Sequence, residues 1–256
     1  MLDVLMDQDF KKVSKRVERF ISSYVPKSSK GLVIGLSGGL DSSVVLKLAV
    51  NALGPSRVLG LVMPSDTTPK EDTGHAIRLA RSLRIRHEII NVTPMIEKIT
   101  EALPKDKRAR GNLMARIRAN ILYYYAAVNG YLVAGTSDKS ELCIGYFTKF
   151  GDGAADIMPI AGLYKTQVRA LAEFLGLPEA IVRKKSSPRL WDNHLAEKEI
   201  GMGYEAIDQI LYLLVEKKLK PKDAAKKLGM PLNDVNRVKD MMEKSLHKRK
   251  PVPAPP

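Results

Sequence analysis

"VIGLSGGLDSSVV", residues 33–45, sets two adjacent glycines, an aspartate and three serines between an apolar run and a helix-like run. An ordinary surface turn needs one glycine and little else. A glycine-rich turn between strand and helix lets backbone N–H groups approach an anion, and the helix N-terminus adds partial positive charge. The stretch Gly35, Leu36, Ser37, Gly38, Gly39, Leu40, Asp41 and Ser42 therefore predicts a phosphate-binding loop. No lysine follows the glycines as in G-x-x-x-x-G-K-[ST], and Gly35, Gly38 and Gly39 do not fit G-x-G-x-x-G. Asp41 is the informative oddity, because a carboxylate repels phosphates unless a divalent cation stands between them, and Mg²⁺ suits that role. The plainer reading of the same residues is a helix start, with Asp41 or Ser42 as its cap.

Working outward, residues 10–25 repeat apolar positions at helical spacing and lead into a strand at Gly31 to Leu36. The helix after the loop, about Ser42 to Leu53, is apolar on nearly every side and stops at Gly54-Pro55, as expected of a helix pressed on a sheet. A buried strand at 57–64, an amphipathic helix at 69–83 and a strand at 86–92 follow. A basic stretch, a helix rich in alanine and tyrosine, and a strand "YLVAGTSD" (131–138) that runs into a polar turn come next. This alternation predicts an α/β fold with a doubly wound, mainly parallel sheet. Ligands of such sheets bind beyond the carboxyl ends of the strands, where both polar turns fall. From about Gly201 the chain reads as all-helical. We therefore expect one domain over 1–256, with a nucleotide-binding core at 31–185, C-terminal helices at 201–247 and a disordered tail at 250–256.

Composition narrows the partners. Forty-two Lys and Arg against 28 Asp and Glu give a net charge of +14, which favours polyanions such as nucleotides or nucleic acid. The single cysteine, Cys143, excludes an intramolecular disulfide and a cysteine-built metal site, in keeping with a cytoplasmic protein. No apolar run reaches the roughly 18 residues of a membrane span, so no membrane partner is expected.

"SGGLDSS" resembles the pyrophosphatase loop of the N-type ATP pyrophosphatases, whose core is adenine nucleotide alpha hydrolase-like. "GTSDKSELCIGYFTKFGDGAADIMPIAGLYKTQV", residues 135–168, is similar to the signature of the ammonia-dependent NAD synthetases. The resemblance runs from about residue 10 to "HKR" at 247–249. It implies a carbon–nitrogen ligase that amidates deamido-NAD to NAD with ATP and ammonia through an acyl-adenylate, the last step of NAD biosynthesis. Carried over residue by residue, it gives the loop 35–42, Thr136, Lys165 and Ser187 to ATP, and Asp41 and Glu141 to Mg²⁺. Arg116, Lys149, Asp156, His247 and Lys248 go to deamido-NAD, with Arg118 an equal candidate beside Arg116. Asp152 corresponds to an acid that could deprotonate the amine, although "GDG" also suits a simple turn, and Lys165 would meet charge developing near the α-phosphate. Two segments, about 64–70 and 188–200, are expected to close over the site.

The chain departs from the family pattern P-[ST]-A-[DG]-L at "SSPRL". Ser186 replaces the proline, Pro188 the alanine and Arg189 the acid or glycine, and Ala196 stands where the first acid after G-Q-T is usual. Glutamine-dependent members carry an amidase domain ahead of the synthetase, whereas 36 residues precede this loop. Free ammonia is therefore the expected donor, with a separate docked glutaminase as the other source. Family members are homodimers, and "NILYYYAAV" (120–128) is a candidate contact or simply core. Two rival readings remain: a tRNA-modifying ATP pyrophosphatase, and a helix-turn-helix nucleic-acid binder at 221–242.

Overall fold

The structure is a computed structural model that describes residues 2–25, 29–191, 194–251 and 253–255. Helix α1 (Leu2–Met6) and the amphipathic α2 (Phe10–Tyr24) precede β1 (Gly31–Gly35). The chain then alternates α3 (Leu40–Leu53), β2 (Val58–Val62), α4 (Lys70–Ser82) and β3 (Arg86–Ile89). Helices α5 (Thr93–Thr100) and α6 (Lys107–Asn129) carry it across to β4 (Tyr131–Ala134). All strand pairs are parallel, in the order β3-β2-β1-β4, and Ala134 makes one further parallel bridge to Ile157.

The period of two in each strand explains the two layers. Leu32 and Ile34 of β1 and Val58 and Val62 of β2 point into one core, shared with α2, α3, α4 and the later α8 (Lys165–Phe174). Val33, Leu59, Leu61 and Val133 point into the opposite core, under α5 and α6. Because helices cover both faces, the inner strands β1 and β2 are apolar throughout, as buried parallel strands require, whereas the edge strand β3 carries Arg86, His87 and Glu88. The connection after β1 lies on one face and the connection into β4 on the other. The carboxyl ends of these neighbouring strands therefore open into a crevice, the switch point of a doubly wound sheet.

A third core is built from α7 (Lys139–Ile144), α10 (Ala196–Ile200), α11 (Tyr204–Leu211), α12 (Pro221–Leu228) and α13 (Leu232–Lys244), with α1 against it. The short α9 (Glu179–Val182) packs with the first core, and α14 (Leu246–Arg249) ends the helical part. A π-helical turn, Tyr212–Glu216, separates α11 from α12. Of the expected tail, residues 252 and 256 lie outside the described residues, while 250, 251 and 253–255 are exposed. Strand β4 stops four residues short of the expected 138, because Gly135 N–H is taken by Ile157 O and the chain then turns to start α7. The basic stretch before the tyrosine-rich helix is not a separate linker but its first turns, capped by Asp106 on Ala109 N–H at 2.6 Å.

Strand β1 closes on β2 so tightly at its start that a Cβ on Gly31 would collide with the backbone carbonyl of Arg57. Gly31→Ala should cost about 1–3 kcal/mol through overpacking. A thermal melt lowered by several degrees with unchanged far-UV circular dichroism is the expected result.

Candidate active site

A cavity of about 660 Å³ opens at the carboxyl ends of β1 and β4 and runs to the C-terminal helices. Gly35, Leu36, Ser37, Gly39, Leu40, Asp41 and Ser42 wall one end of it. Gly38 turns away at φ 68, where a Cβ would strike the backbone carbonyl of Asp72. The loop holds itself through its serines: Ser37 Oγ lies 3.1 Å from Ser42 Oγ, and Ser43 Oγ donates to Gly39 O at 2.7 Å. Helix α3 starts at Gly39 with no side-chain cap, so neither Asp41 nor Ser42 serves as one. The first-turn N–H groups thus have no capping acceptor from a side chain, the state an anion would satisfy.

Beside the loop lies a buried charge cluster. Lys165 Nζ sits 2.8 Å from Asp41 Oδ1, 2.9 Å from Asp138 Oδ2 and 2.8 Å from Glu141 Oε1. The lysine is 1% exposed and Asp138 wholly buried. Burial opposes the ammonium, yet Asp138, Asp41 and Glu141 together hold its pKa well above the usual lysine value. The acids pay for the arrangement: burial, with the neighbouring acids against the pull of Lys165, pushes Asp138 up to about 7 and Glu141 well above the usual carboxylate range. Fully ionised, three carboxylates around one ammonium would carry an excess of two negative charges, and the raised pKa values of Asp138 and Glu141 register that excess. Asp41 Oδ1 and Asp138 Oδ2 approach the ammonium without a well-aligned hydrogen bond, so their lone pairs remain available.

The donor type, hard oxygens, and the excess charge both fit a divalent cation such as Mg²⁺. Among the described residues no group of three or more His, Cys, Asp or Glu is preset around a metal position, because these acids are turned on the ammonium. Asp138 also caps α7 in a capping box, accepting Glu141 N–H at 2.8 Å while Glu141 Oε2 accepts Asp138 N–H at 3.4 Å. The cap in T-S-D-K is therefore Asp138, and Thr136 stays free to line the cavity.

Helix α11 fixes Lys165 from behind. Asp208 accepts Ser140 Oγ–H and, at 2.8 Å, Thr166 N–H, and Ser140 Oγ in turn accepts Lys165 N–H at 2.9 Å. The Tyr204 ring lies 5.3 Å from Lys165 Nζ. Sequence reading missed Asp138, Asp208 and Tyr204. Only the D-x-x-E spacing of the capping box offered a signal, and that for Asp138 alone.

At the other end, Asp152 Oδ1 accepts Thr148 N–H at 2.8 Å. Its side chain is exposed at the cavity, and desolvation by the surrounding protein raises its pKa against that bond and the nearby Lys248 and Arg118. Burial likewise lowers Arg118 to about 10, with Asp152 and Asp66 opposing, while its Nε donates to Met63 O at 3.0 Å. Lys248 lines the same space and donates to Gly145 O and Phe147 O, each at 2.7 Å. Arg118, not Arg116, thus faces the cavity. Arg116, Lys149 and His247 form a chain outside it, with Arg116 Nε donating to Lys149 O at 3.3 Å and Lys149 Nζ to His247 O at 2.9 Å. Asp156 lies apart from the cavity and completes the sheet edge, accepting Val133 N–H at 2.7 Å.

The two expected closing segments touch: Thr67 Oγ1 donates to Arg189 O at 2.9 Å. Ser187 also lines the cavity, its hydroxyl bonded to His194 O. His194 stacks on Trp191 and lies 2.7 Å from Glu199 Oε2, which also accepts Tyr146 O–H at 2.7 Å. This group, too, was absent from the sequence reading, and residues 192 and 193 of the segment lie outside the described residues.

The sequence profile described as NAD synthase matches residues 13–252. An NH₃-dependent NAD⁺ synthetase of Hyperthermus butylicus is 52% identical, covering 99% of this chain and 94% of that one. Another from Aeropyrum pernix is 46% identical, over 99% and 92%. Among solved structures, an NH₃-dependent NAD synthetase from Campylobacter jejuni, in complex with nitrate, superposes with a TM-score of 0.82 at 31% identity, covering 97% and 100% of the two chains. An NMN synthetase from Francisella tularensis does so with 0.85 at 34%, over 97% and 99%.

Replacing Lys165 with methionine strands three carboxylates, and removing one side of a buried ion pair costs about 3–5 kcal/mol. An acid raised in the fold binds a proton there between its unfolded and folded pKa values, so it adds stability at low pH that is lost as pH rises through the folded value. The Lys165→Met loss should accordingly be larger at pH 8 than at pH 6, and Mg²⁺ should recover more of it than it adds to the parent protein. Differential scanning calorimetry at both pH values checks this.

Proposed function

This chain belongs to the NAD synthase family, and we propose that it amidates deamido-NAD to NAD with ATP and ammonia, releasing AMP and pyrophosphate. The observation that carries the reading is the uncapped phosphate loop set beside the acid cluster at the β1–β4 crevice. The loop 35–42, with Thr136 and Ser187, would hold ATP. Asp41 and Glu141 would hold Mg²⁺, which when bound supplies positive charge to the phosphates.

The nicotinate carboxylate attacks the α-phosphorus, and the bond to the bridging oxygen breaks with its electrons leaving on pyrophosphate. Lys165, held beside the loop at the start of α8, would meet the charge growing on the α-phosphate. Ammonia then attacks the acyl carbon and AMP departs with the C–O electrons. Asp152, which lines the cavity, would take a proton from the amine, and Arg118 and Lys248 would meet the anionic substrate. The closed segments keep water from the adenylate.

Arg116, Lys149, Asp156 and His247 sit on the outer side, where a second copy could bring substrate against them. Helices α5 and α6 and the link between them expose Met95, Ile99, Leu103, Tyr124 and Val128. Such a run of apolar side chains suits a homodimer contact. Tyr125 departs from that face, donating to Glu88 at 2.6 Å. A cytoplasmic location belongs to the same reading, and among the described residues no helix is long and apolar enough to cross a membrane.

In the presence of Mg-ATP and ammonium, deamido-NAD should give NAD and pyrophosphate in equal amounts. Nicotinate mononucleotide belongs beside it as a competing substrate, given the likeness to an NMN synthetase. Asp152→Asn should lower kcat/KM for ammonium by about 10²–10⁴-fold, the usual worth of a general base, with KM for ATP little changed. Absence of NAD would remove the substrate assignment. Separately, the double variant Tyr124→Glu, Val128→Glu should run as a monomer in light scattering, whereas the parent runs as a dimer.

A further inference from the structure

The two closing segments and the phosphate loop are joined through one arginine. Arg189 occupies the left-handed region at φ 51, a conformation that side chains other than glycine and asparagine avoid. Three hydrogen bonds hold it there. Its carbonyl accepts Thr67 Oγ1–H at 2.9 Å, its N–H donates to Ser187 Oγ at 3.2 Å, and its Nε donates to Asp72 Oδ2 at 2.9 Å. Asp72 is 3% exposed, and its other oxygen receives Lys184 Nζ at 2.7 Å. Lys184 reaches on to Gly38 O at 2.8 Å, at the turn whose α-carbon packs on the Asp72 backbone. A buried carboxylate therefore sets Arg189 at a fixed place relative to the phosphate loop.

Asp72 uses only Nε of the guanidinium. Among the described residues Nη1 and Nη2 have no partner, and the side chain lines the cavity with 27% of its surface exposed. Two cations share the one Asp72 carboxylate, so a net positive charge remains on this side of the loop, opposite in sign to the acid cluster around Lys165. The planar fork of arginine matches phosphate oxygens in a way that a lysine does not. The position also departs from the common family pattern, which has an acid or glycine there.

We infer that Arg189 binds the β- and γ-phosphates of ATP and the pyrophosphate that leaves, as a further phosphate-binding residue for the reaction proposed above, on which the inference rests. As the bond from the α-phosphorus breaks, its electron pair stays on the departing pyrophosphate. The uncommitted amino groups of Arg189 meet that charge, and a cation held by Asp41 and Glu141 would supply further positive charge to it.

The test is calorimetric titration of inorganic pyrophosphate, with Mg²⁺, and separately of AMP, into the full-length protein and its Arg189→Gly and Arg189→Lys variants. Glycine accepts the backbone conformation without strain, so the fold should survive, and melting curves check this. Pyrophosphate affinity should fall about tenfold or more in Arg189→Gly, as expected for losing a hydrogen bond to a charged group, and less in Arg189→Lys. AMP affinity should change by less than about threefold, well under the tenfold that 1.4 kcal/mol represents. Unchanged pyrophosphate affinity, an equal loss for both ligands, or no pyrophosphate binding by the parent protein would each overturn the inference; the second outcome would leave Arg189 as a latch between loops. A parent protein that makes no NAD yet binds pyrophosphate through Arg189 would sink the substrate assignment and leave this residue's role standing.

Discussion

The molecule is organised around one ammonium group and the three carboxylates that surround it. Asp41 arrives on the helix after β1, Asp138 and Glu141 on the short helix after β4, and Lys165 at the start of α8. They come from three segments of the chain, and none could be buried with its charge alone. The cluster lies where the sheet core meets the C-terminal helical core: α3 belongs to the first, α7 and α11 to the second, and α8 touches both. Asp208 and Tyr204 extend the C-terminal helices into the same polar seam. A stability argument counts such a buried cluster as a weak asset. As an electrostatic device it makes more sense, because its surplus negative charge is a standing demand for a cation beside a loop built for anions.

That pairing of opposite poles makes the site chemically coherent. On one side of residues 37–41 the charge is negative and suited to a hard divalent ion; on the other, Lys184 and Arg189 outweigh Asp72. Under the proposed reaction, a triphosphate laid between them would meet donors along the loop and opposite charges at its flanks. In the proposed reaction the amine step falls to Asp152, with Arg118 and Lys248, which line the same cavity but belong to neither charged group. Activation of a carboxylate and its amidation can thus share one enclosed space without sharing the same side chains.

How much of this was legible beforehand follows from the range of each interaction. The β1–loop–α3 unit could be read because glycines, serines and an aspartate are contiguous and their chemistry is local. Strand and helix positions held to within a few residues, because alternating and helical periodicities reflect burial directly. Glu141 was found by resemblance, but Asp138, two residues after the predicted Thr136, was passed over; the cap of α7, which the T-S-D-K stretch also offered to Thr136, falls to Asp138. Asp208 and Tyr204 lie in an ordinary amphipathic helix, and nothing in that period says that one polar position points inward at Lys165. The choice between Arg116 and Arg118 turns on which side of α6 faces the crevice, a rotation that only the packing of α6 on the sheet fixes.

The seam also has a consequence for synthesis. A parallel sheet forms only through long crossovers, and contacts between distant segments wait on the closure of the intervening chain. The phosphate loop is complete once residue 43 has left the ribosome, but Asp41 has no counter-ion until residue 165 follows it, and Lys165 is not anchored until residue 208 arrives. A nascent chain therefore carries the most visible part of its nucleotide site long before that site can hold its charges. Competence comes late, when the C-terminal helices dock, and a truncated or stalled product would be left with an acidic patch in place of a catalyst.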